Sequence, residues 1–126
     1  MAREIETKCI HLEEEENSIN HYGAISYPIY QSATYAHPGV GQSTGYDYSR
    51  LQNPTREHLE KTVASLENGI DALAFSSGMA AITLMMELFK PGDHLIVDAD
   101  LYGGSIRLFN HVSEKNRIEF SSVDRS

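Results

Sequence analysis

The chain has 126 residues, a formal net charge of −8 and 40% hydrophobic residues, as is typical of a soluble globular domain. The acidic excess argues against a surface that follows nucleic-acid phosphates, and no apolar run approaches the roughly 18 residues that cross a membrane. Cys9 is the only cysteine, so the chain cannot form an internal disulfide. Because the first residues, MAREIETKCIHLEEEEN, are too acidic for a signal peptide, we expect a cytoplasmic protein.

Residues 1–52 have little hydrophobic periodicity, and their second half is rich in Tyr, Ser, Pro and Gly. Pro28 and Pro38 argue against long regular elements in this region. The aromatic content is high for a free linker, so we predict an extended N-terminal arm that packs on a neighbouring chain. Within it, Tyr48 and Arg50 precede a helix start. They lie either in an ordinary exposed loop or in a site that binds an anion.

The pattern changes at residue 53, where an α/β region is predicted to begin. Asn53 can cap a helix, Pro54 suits its first position, and apolar residues follow at helical spacing until Gly69 ends it. The remaining pattern predicts strands at 71–75, 94–99 and 117–123, with helices at 79–89 and 106–116 between them.

This alternating order of strands and helices predicts a parallel sheet with helices packed on its faces. A sheet of three parallel strands has two open edges, which proteins rarely leave unprotected. We therefore expect residues 53–126 to be the first part of a larger α/β domain.

The most informative turn joins the first predicted strand to the helix that follows it. There, Ser77, Gly78 and Met79 place free backbone N–H groups and a hydroxyl at the positive end of the helix dipole. Gly78 has no Cβ, so an anion such as phosphate can approach the backbone closely. The alternative is a plain strand-to-helix turn in which Ser77 only caps the helix.

A second candidate lies after the next predicted strand, in the sequence DADLYGGSIR (residues 98–107). Parallel strands bind ligands at their C-terminal ends, so this turn lies at the same edge of the sheet as Gly78. Tyr102 could present a flat face there. The alternative is a glycine-rich connection that carries a surface tyrosine.

Several common ligand motifs do not occur in the sequence. It contains no G-x-x-x-x-G-K-[ST] run and no G-x-S-x-G, and GVGQSTG (residues 39–45) has the wrong spacing for a dinucleotide fingerprint. The six histidines are scattered and no second cysteine is available. We therefore expect no metal site.

Five segments occur in one order with compact spacing: YDYSRLQNPT, SLENG, FSSGMAAI, KPGDHLIV and DLYGGS. Together they resemble the Cys/Met-metabolism family of pyridoxal-phosphate (PLP) enzymes. That family includes cystathionine β-lyase, γ-lyase and γ-synthase, methionine γ-lyase and the O-acetylhomoserine sulfhydrylases. The resemblance spans residues 7–124, about the first third of a typical member. It implies that residues 53–126 are the first part of a large domain of fold type I, the PLP-dependent transferase-like fold, with the remainder of that domain and a C-terminal domain absent. It also implies a homotetramer built as a dimer of dimers.

The resemblance also implies a role for each matching residue. Gly78 and Met79, beside Ser77, match the backbone donors to the PLP phosphate. Tyr102 matches a tyrosine that stacks on the pyridine ring and is often given a role in proton handling. Tyr48 and Arg50 match a Tyr-x-Arg pair that binds the phosphate of the neighbouring subunit's PLP.

Two departures from the family pattern affect the functional prediction. The family's Schiff-base lysine lies in a later Ser-x-Thr-Lys-like motif that this chain does not contain. Its four lysines, Lys8, Lys61, Lys90 and Lys115, have other contexts, and the aspartate that pairs with the pyridine nitrogen is also expected later. Methionine γ-lyases commonly carry cysteine where this chain has Gly104, which favours the cystathionine enzymes.

The resemblance therefore implies a PLP-dependent lyase or transferase acting on sulfur amino acids by β- or γ-elimination or replacement. Cystathionine cleavage is the preferred reaction. The alternative within the family is γ-replacement on an O-activated homoserine, as in cystathionine γ-synthase or a sulfhydrylase. An alternative of another class is a catalytically inactive fragment that only assembles, because the chain lacks the covalent anchor for PLP.

Overall fold

A computed structural model describes residues 4–11 and 24–125 of the chain. In chain order its elements are α1 (Ile5–Lys8), α2 (Pro54–Leu66), α3 (Gly78–Met86), β1 (His94–Asp98), α4 (Gly103–Asn116) and β2 (Glu119–Val123). They form two compact units, Met1–Ala74 and Phe75–Ser126. Part of the predicted arm, residues 12–23, lies outside the described residues, and the predicted division at residues 52 and 53 stays a prediction. No described helix is long and apolar enough to cross a membrane.

Helix α2 begins as the sequence predicts. The Asn53 side chain accepts a hydrogen bond from the Thr55 N–H at 2.9 Å, and Pro54 occupies the first helical turn. The end differs in detail from the prediction. Asn68, not Gly69, adopts the left-handed conformation (φ 53°), and the Gly69 N–H donates to the Ala64 carbonyl at 2.8 Å. Asparagine tolerates this conformation because its short polar side chain can bond locally.

The predicted strand at 71–75 is not a strand in the described structure, so this prediction is wrong as stated. The backbone of this segment forms no strand-to-strand hydrogen bonds with the described residues. The Ala74 N–H instead donates to the Glu60 side chain at 2.8 Å. A strand exists only through hydrogen bonds to a neighbour, and neither described strand pairs with this segment. The apolar run identifies an extended segment, but it cannot supply that neighbour.

The second unit is a small α/β layer. Strands β1 and β2 pair in parallel, with His94 opposite Glu119 and Asp98 opposite Val123, and α4 makes the crossover between them. A buried cluster joins helices and sheet through Met86, Val112, Ile118 and the phenylalanines around them. The predicted α/β class with parallel strands is thereby confirmed.

The helix bounds in this unit differ from the predicted ones for local reasons. Helix α3 ends at Met86 because the next N–H groups bond three residues back, as Phe89 does to the Met86 carbonyl at 3.3 Å. Helix α4 begins at Gly103, three residues before the predicted start, because the Ser105 N–H reaches the Tyr102 carbonyl at 2.8 Å. Gly103 and Gly104 are poor helix formers, so helix propensity does not predict this first turn.

Candidate functional site

The N-terminus of α3 offers unused backbone donors. Ser77 caps the helix, and its Oγ accepts from the Ala80 N–H at 3.1 Å. The N–H groups of Gly78 and Met79 have no acceptor among the described residues. Because a hydroxyl that accepts one bond keeps its own proton, Ser77 can still donate to a bound group. The predicted cap and the predicted anion donors therefore coexist in one turn.

The space beside Gly78 is open. A Cβ built on Gly78 would meet no heavy atom within 4 Å. No packing among the described residues therefore demands glycine at this position. The open backbone, the two unused donors and the helix dipole together make a place where an anion can approach.

The first turn of α4 contacts the first turn of α3 through Met79. The Ser105 hydroxyl, which is buried, lies 3.8 Å from the Met79 Sδ. A Cβ built on Gly104 would lie 3.2 Å from the same sulfur and 2.5 Å from Cε1 of Tyr102. Gly104 thus allows the Tyr102 ring and Met79 to meet over one backbone position. The first turns of α3 and α4 bring these two predicted site residues together, although the segment before α3 is not a strand.

Tyr102 itself is open to its surroundings. Its side chain is 72% exposed although it stands at the N-cap position of α4. An aromatic ring of this size normally buries much of its surface, so a ring left exposed here is suited to stack on a flat ligand.

Tyr48 and Arg50 form a compact pair on the loop that precedes α2. The Arg50 guanidinium carbon lies 4.8 Å from the centre of the Tyr48 ring, a cation–π contact, and both residues are exposed. No carboxylate pairs with Arg50 among the residues that the structure describes. The loop therefore presents a phenol and an unneutralised guanidinium, a donor pair that suits phosphate.

The carboxylate of Glu57, close to this loop, already has its own hydrogen-bond and ion-pair partners. The Tyr46 hydroxyl donates to Glu57 at 2.5 Å, and Lys61 pairs with the same carboxylate at 2.8 Å. The hydrogen bonds from Lys61 and Tyr46 lower the pKa of Glu57, whereas burial and the bond to Glu57 raise the pKa of Tyr46. Tyr46 and Lys61 thus keep Glu57 ionised. Because Glu57 is paired with these residues and not with Arg50, the Arg50 charge is available to another anion.

The described residues also limit what else the chain can bind. No group of His, Cys, Asp or Glu within residues 4–11 and 24–125 is arranged to hold a metal ion. Lys61 is engaged with Glu57. The residue that sequence reasoning missed is Asn53, which it treated only as a helix cap. The sequence shows that Asn53 follows Arg50 by three residues, in YSRLQNPT. It does not show which groups the Asn53 side chain contacts.

Comparisons with known proteins assign the chain to a family. The model of the family described as "Cys/Met metabolism PLP-dependent enzyme" matches residues 6–126. The chain is 48% identical over its whole length to cystathionine gamma-synthase/O-acetylhomoserine (thiol)-lyase of Bacillus subtilis (strain 168), covering 33% of that protein. It is 46% identical to cystathionine beta-lyase of Coxiella burnetii (strain RSA 493 / Nine Mile phase I), with 95% of this chain and 31% of the relative aligned.

The fold agrees with solved structures of the same kind. The crystal structure of metB from Corynebacterium glutamicum superimposes with a TM-score of 0.87 at 40% identity, covering 99% of this chain and 32% of that chain. The α/β fold with parallel strands thus has the architecture of the N-terminal part of PLP-dependent cystathionine enzymes. The chain belongs to the Cys/Met-metabolism family of PLP-dependent enzymes, whose members are carbon–sulfur lyases and related transferases. It spans about a third of the length of the relatives it matches.

Proposed function

We propose that this chain provides the phosphate-binding N-terminal part of a PLP-dependent enzyme that cleaves cystathionine by β- or γ-elimination. The observation that carries the proposal is the meeting of α3 and α4. Two N–H groups without acceptors, at Gly78 and Met79, lie in the turn whose Met79 side chain packs beside Gly104 and the exposed ring of Tyr102.

The residues present fit PLP. Its phosphate is a dianion, and a helix N-terminus, the Ser77 hydroxyl, a phenol and a guanidinium are donors of the right chemistry. Gly78, Met79 and Ser77 would bind the phosphate from the chain that carries the ring. Tyr48 and Arg50 would reach the phosphate held by a neighbouring copy.

Tyr102 would orient the cofactor and help to handle a proton. Its ring would stack on the pyridine face, and its hydroxyl could hold or move a proton near the substrate. When bound, PLP supplies the electron sink for loss of a sulfur-bearing group from an amino acid. The partners of the protein would be a sulfur amino acid and further copies of the chain in a dimer of dimers, in the cytoplasm, without nucleic acid or membrane.

The relatives support a second reaction for the same site. The Bacillus relative bears the names of a γ-synthase and of a thiol-lyase acting on O-acetylhomoserine, which favours γ-replacement on an O-activated homoserine. A third possibility is a chain that assembles without catalysing, since none of its four lysines lies in the expected motif.

The experiment that tests this function uses the protein at its natural length, purified with PLP and then stripped of it. Cystathionine and water should yield a keto acid, ammonia and a thiol only when PLP is restored, whereas O-acetylhomoserine plus cysteine should yield cystathionine and acetate if replacement is the reaction. Absence of PLP-dependent turnover in both assays would refute the enzymatic proposal. Borohydride treatment of the 126-residue chain with PLP should modify no single lysine stoichiometrically.

Gly104→Ala tests the stacking role of Tyr102. A Cβ at this position lies 2.5 Å from Tyr102 Cε1, so the ring must turn away. We expect the dissociation constants of PLP and of pyridoxal to rise together by roughly 2- to 10-fold, since the loss concerns the ring and not the phosphate. Ligand titration of the stripped protein measures both.

The matched control for this test is Gly103→Ala. A Cβ on Gly103 meets nothing within 4 Å, so this variant should bind like the wild type. Unchanged affinity in Gly104→Ala, or a loss confined to PLP, would contradict the stacking role.

A further inference from the structure

The Asn53 side chain makes more contacts than a helix cap requires. Its Oδ1 accepts from the Thr55 N–H at 2.9 Å, which identifies the other amide atom as the donor. The two protons of that Nδ2 serve three acceptors, so two of them share one proton: the Tyr30 carbonyl at 3.1 Å, Ser49 Oγ at 3.0 Å and the Tyr35 hydroxyl at 3.3 Å. One half-buried amide therefore joins the helix start, the arm and the loop that carries Tyr48 and Arg50.

Ser49 connects this amide to the two proposed phosphate ligands. It lies between Tyr48 and Arg50, and its N–H donates to the Ala33 carbonyl at 2.9 Å. Its hydroxyl donates to the Ser32 carbonyl and lies 3.2 Å from the Tyr35 hydroxyl. The residue between the two ligands is thus hydrogen-bonded to the arm through both its backbone and its side chain.

The arm and the loop also pair directly. Thr34 and Tyr48 form an antiparallel bridge, and the Tyr35 N–H donates to the Asp47 carbonyl at 3.2 Å. The Tyr30 N–H donates to Thr55 Oγ1 at 2.8 Å, which ties the same arm to the first turn of α2. The arm is therefore held at α2 and, through the bridge, at the loop.

A second side chain of α2 brackets Arg50. The guanidinium of Arg56 donates to the carbonyl of Ser49 at 3.2 Å and to the carbonyl of Leu51 at 2.5 Å. These carbonyls belong to the residues immediately before and after Arg50. The backbone of Arg50 is therefore fixed on both sides while its own guanidinium remains exposed.

We propose that Asn53 is a positioning residue for phosphate binding: it orders the loop so that Tyr48 and Arg50 meet the phosphate with little further loss of freedom. The inference rests on the proposed function, because it needs this pair to bind the phosphate. An exposed loop that must be ordered on binding lowers affinity, and hydrogen bonds made beforehand remove that penalty. Asn53 touches no ligand itself; it acts through Ser49 and the arm.

The amide can be removed without removing the cap. In Asn53→Asp a carboxylate oxygen can still accept from the Thr55 N–H, and aspartate caps helices as well as asparagine does. The variant loses the donation to the Tyr30 carbonyl, and its carboxylate can only accept from the Ser49 and Tyr35 hydroxyls. A role limited to capping would leave cofactor binding unchanged, whereas a positioning role would weaken binding of the phosphate in particular.

The experiment compares the affinities of PLP and pyridoxal for the protein at its natural length, stripped of cofactor. Asn53→Asp should reduce the preference for PLP over pyridoxal by roughly 3- to 10-fold. Ser49→Ala, which leaves the cap intact, should move the preference in the same direction. In the Arg50→Met background, Asn53→Asp should change the preference less than it does in the wild type, because only the Tyr48 contact is then left to be ordered.

Two outcomes overturn the proposal, and they are distinguishable. If Arg50→Met reduces the preference for PLP but Asn53→Asp and Ser49→Ala do not, the positioning role fails and the phosphate site stands. If Arg50→Met leaves the preference unchanged, the proposed phosphate contact fails and the inference fails with it. Should Asn53→Asp not fold, the result for Ser49→Ala decides the question alone.

Discussion

Replacing Arg50 by methionine is expected to weaken PLP binding by roughly 10- to 100-fold while pyridoxal binds nearly as well as to the wild type. The guanidinium is exposed, has no carboxylate partner among the described residues and lies 4.8 Å from the Tyr48 ring. A charge-assisted hydrogen bond to a phosphate dianion is worth more than a neutral one, and methionine keeps an unbranched apolar stem without the guanidinium. Equilibrium titration of the stripped protein with each ligand measures the effect.

Arg117→Met is the matched control for this prediction. Arg117 lies at the C-terminal end of α4, so the variant removes the same charge far from the first turn of that helix. Its affinities for PLP and pyridoxal should equal those of the wild type. An equal loss for both ligands in Arg50→Met would mean that Arg50 acts on the fold and not on the phosphate.

Gly78→Val is expected to weaken PLP binding by roughly 10- to 100-fold with little change in the stability of the cofactor-free protein. A Cβ at this position meets no heavy atom within 4 Å, so the substitution begins in open space. It adds bulk beside the two N–H groups that have no described acceptor, where we propose that the phosphate lies. Ligand titration measures the affinity, and urea unfolding without cofactor measures the stability.

The stability measurement separates two explanations of a loss at Gly78. Unchanged unfolding with lost PLP binding indicates that the glycine leaves room for a ligand. Lost binding that accompanies lost stability would show instead that Gly78 serves the fold, and PLP binding as tight as in the wild type would remove this turn from the site.

Local signals made much of the fold predictable. Asn53 and Ser77 cap their helices as the sequence predicts because a cap depends on residues within one turn. The parallel pairing of β1 and β2 followed from the alternation of apolar strands and helices. The family resemblance was confirmed by the match over residues 6–126.

The remaining features depend on contacts that no local pattern contains. The segment 71–75 has the composition of a buried strand, but strand formation requires a partner that the described residues do not provide. The first turn of α4 contains two glycines. The need for glycine at position 104 arises from the approach of Tyr102 and Met79, which the sequence does not show. Asn53 reaches Tyr30, 23 residues away, so its second role is a long-range property.

The proposed contacts to the phosphate and the ring do not distinguish elimination from replacement. Both reactions need the cofactor held and its ring oriented, which are the tasks proposed for Gly78, Met79 and Tyr102. The relatives carry names from both reaction types at similar identity, so assays with cystathionine and with O-acetylhomoserine are needed to distinguish them.

We propose that each PLP phosphate is held by the α3 turn of one chain and by Tyr48 and Arg50 of another. Dissociating and reassembling a mixture of Arg50→Met and Gly78→Val subunits tests this directly, with tight PLP binding as the measured quantity. Each mixed pair contains one site with an intact Gly78 and an intact Arg50 from opposite chains, so tight binding should reappear although neither variant binds tightly alone. If mixing restores no tight binding while mixed pairs are present, Arg50 serves its own chain or no phosphate at all, and the two chains do not share the phosphate.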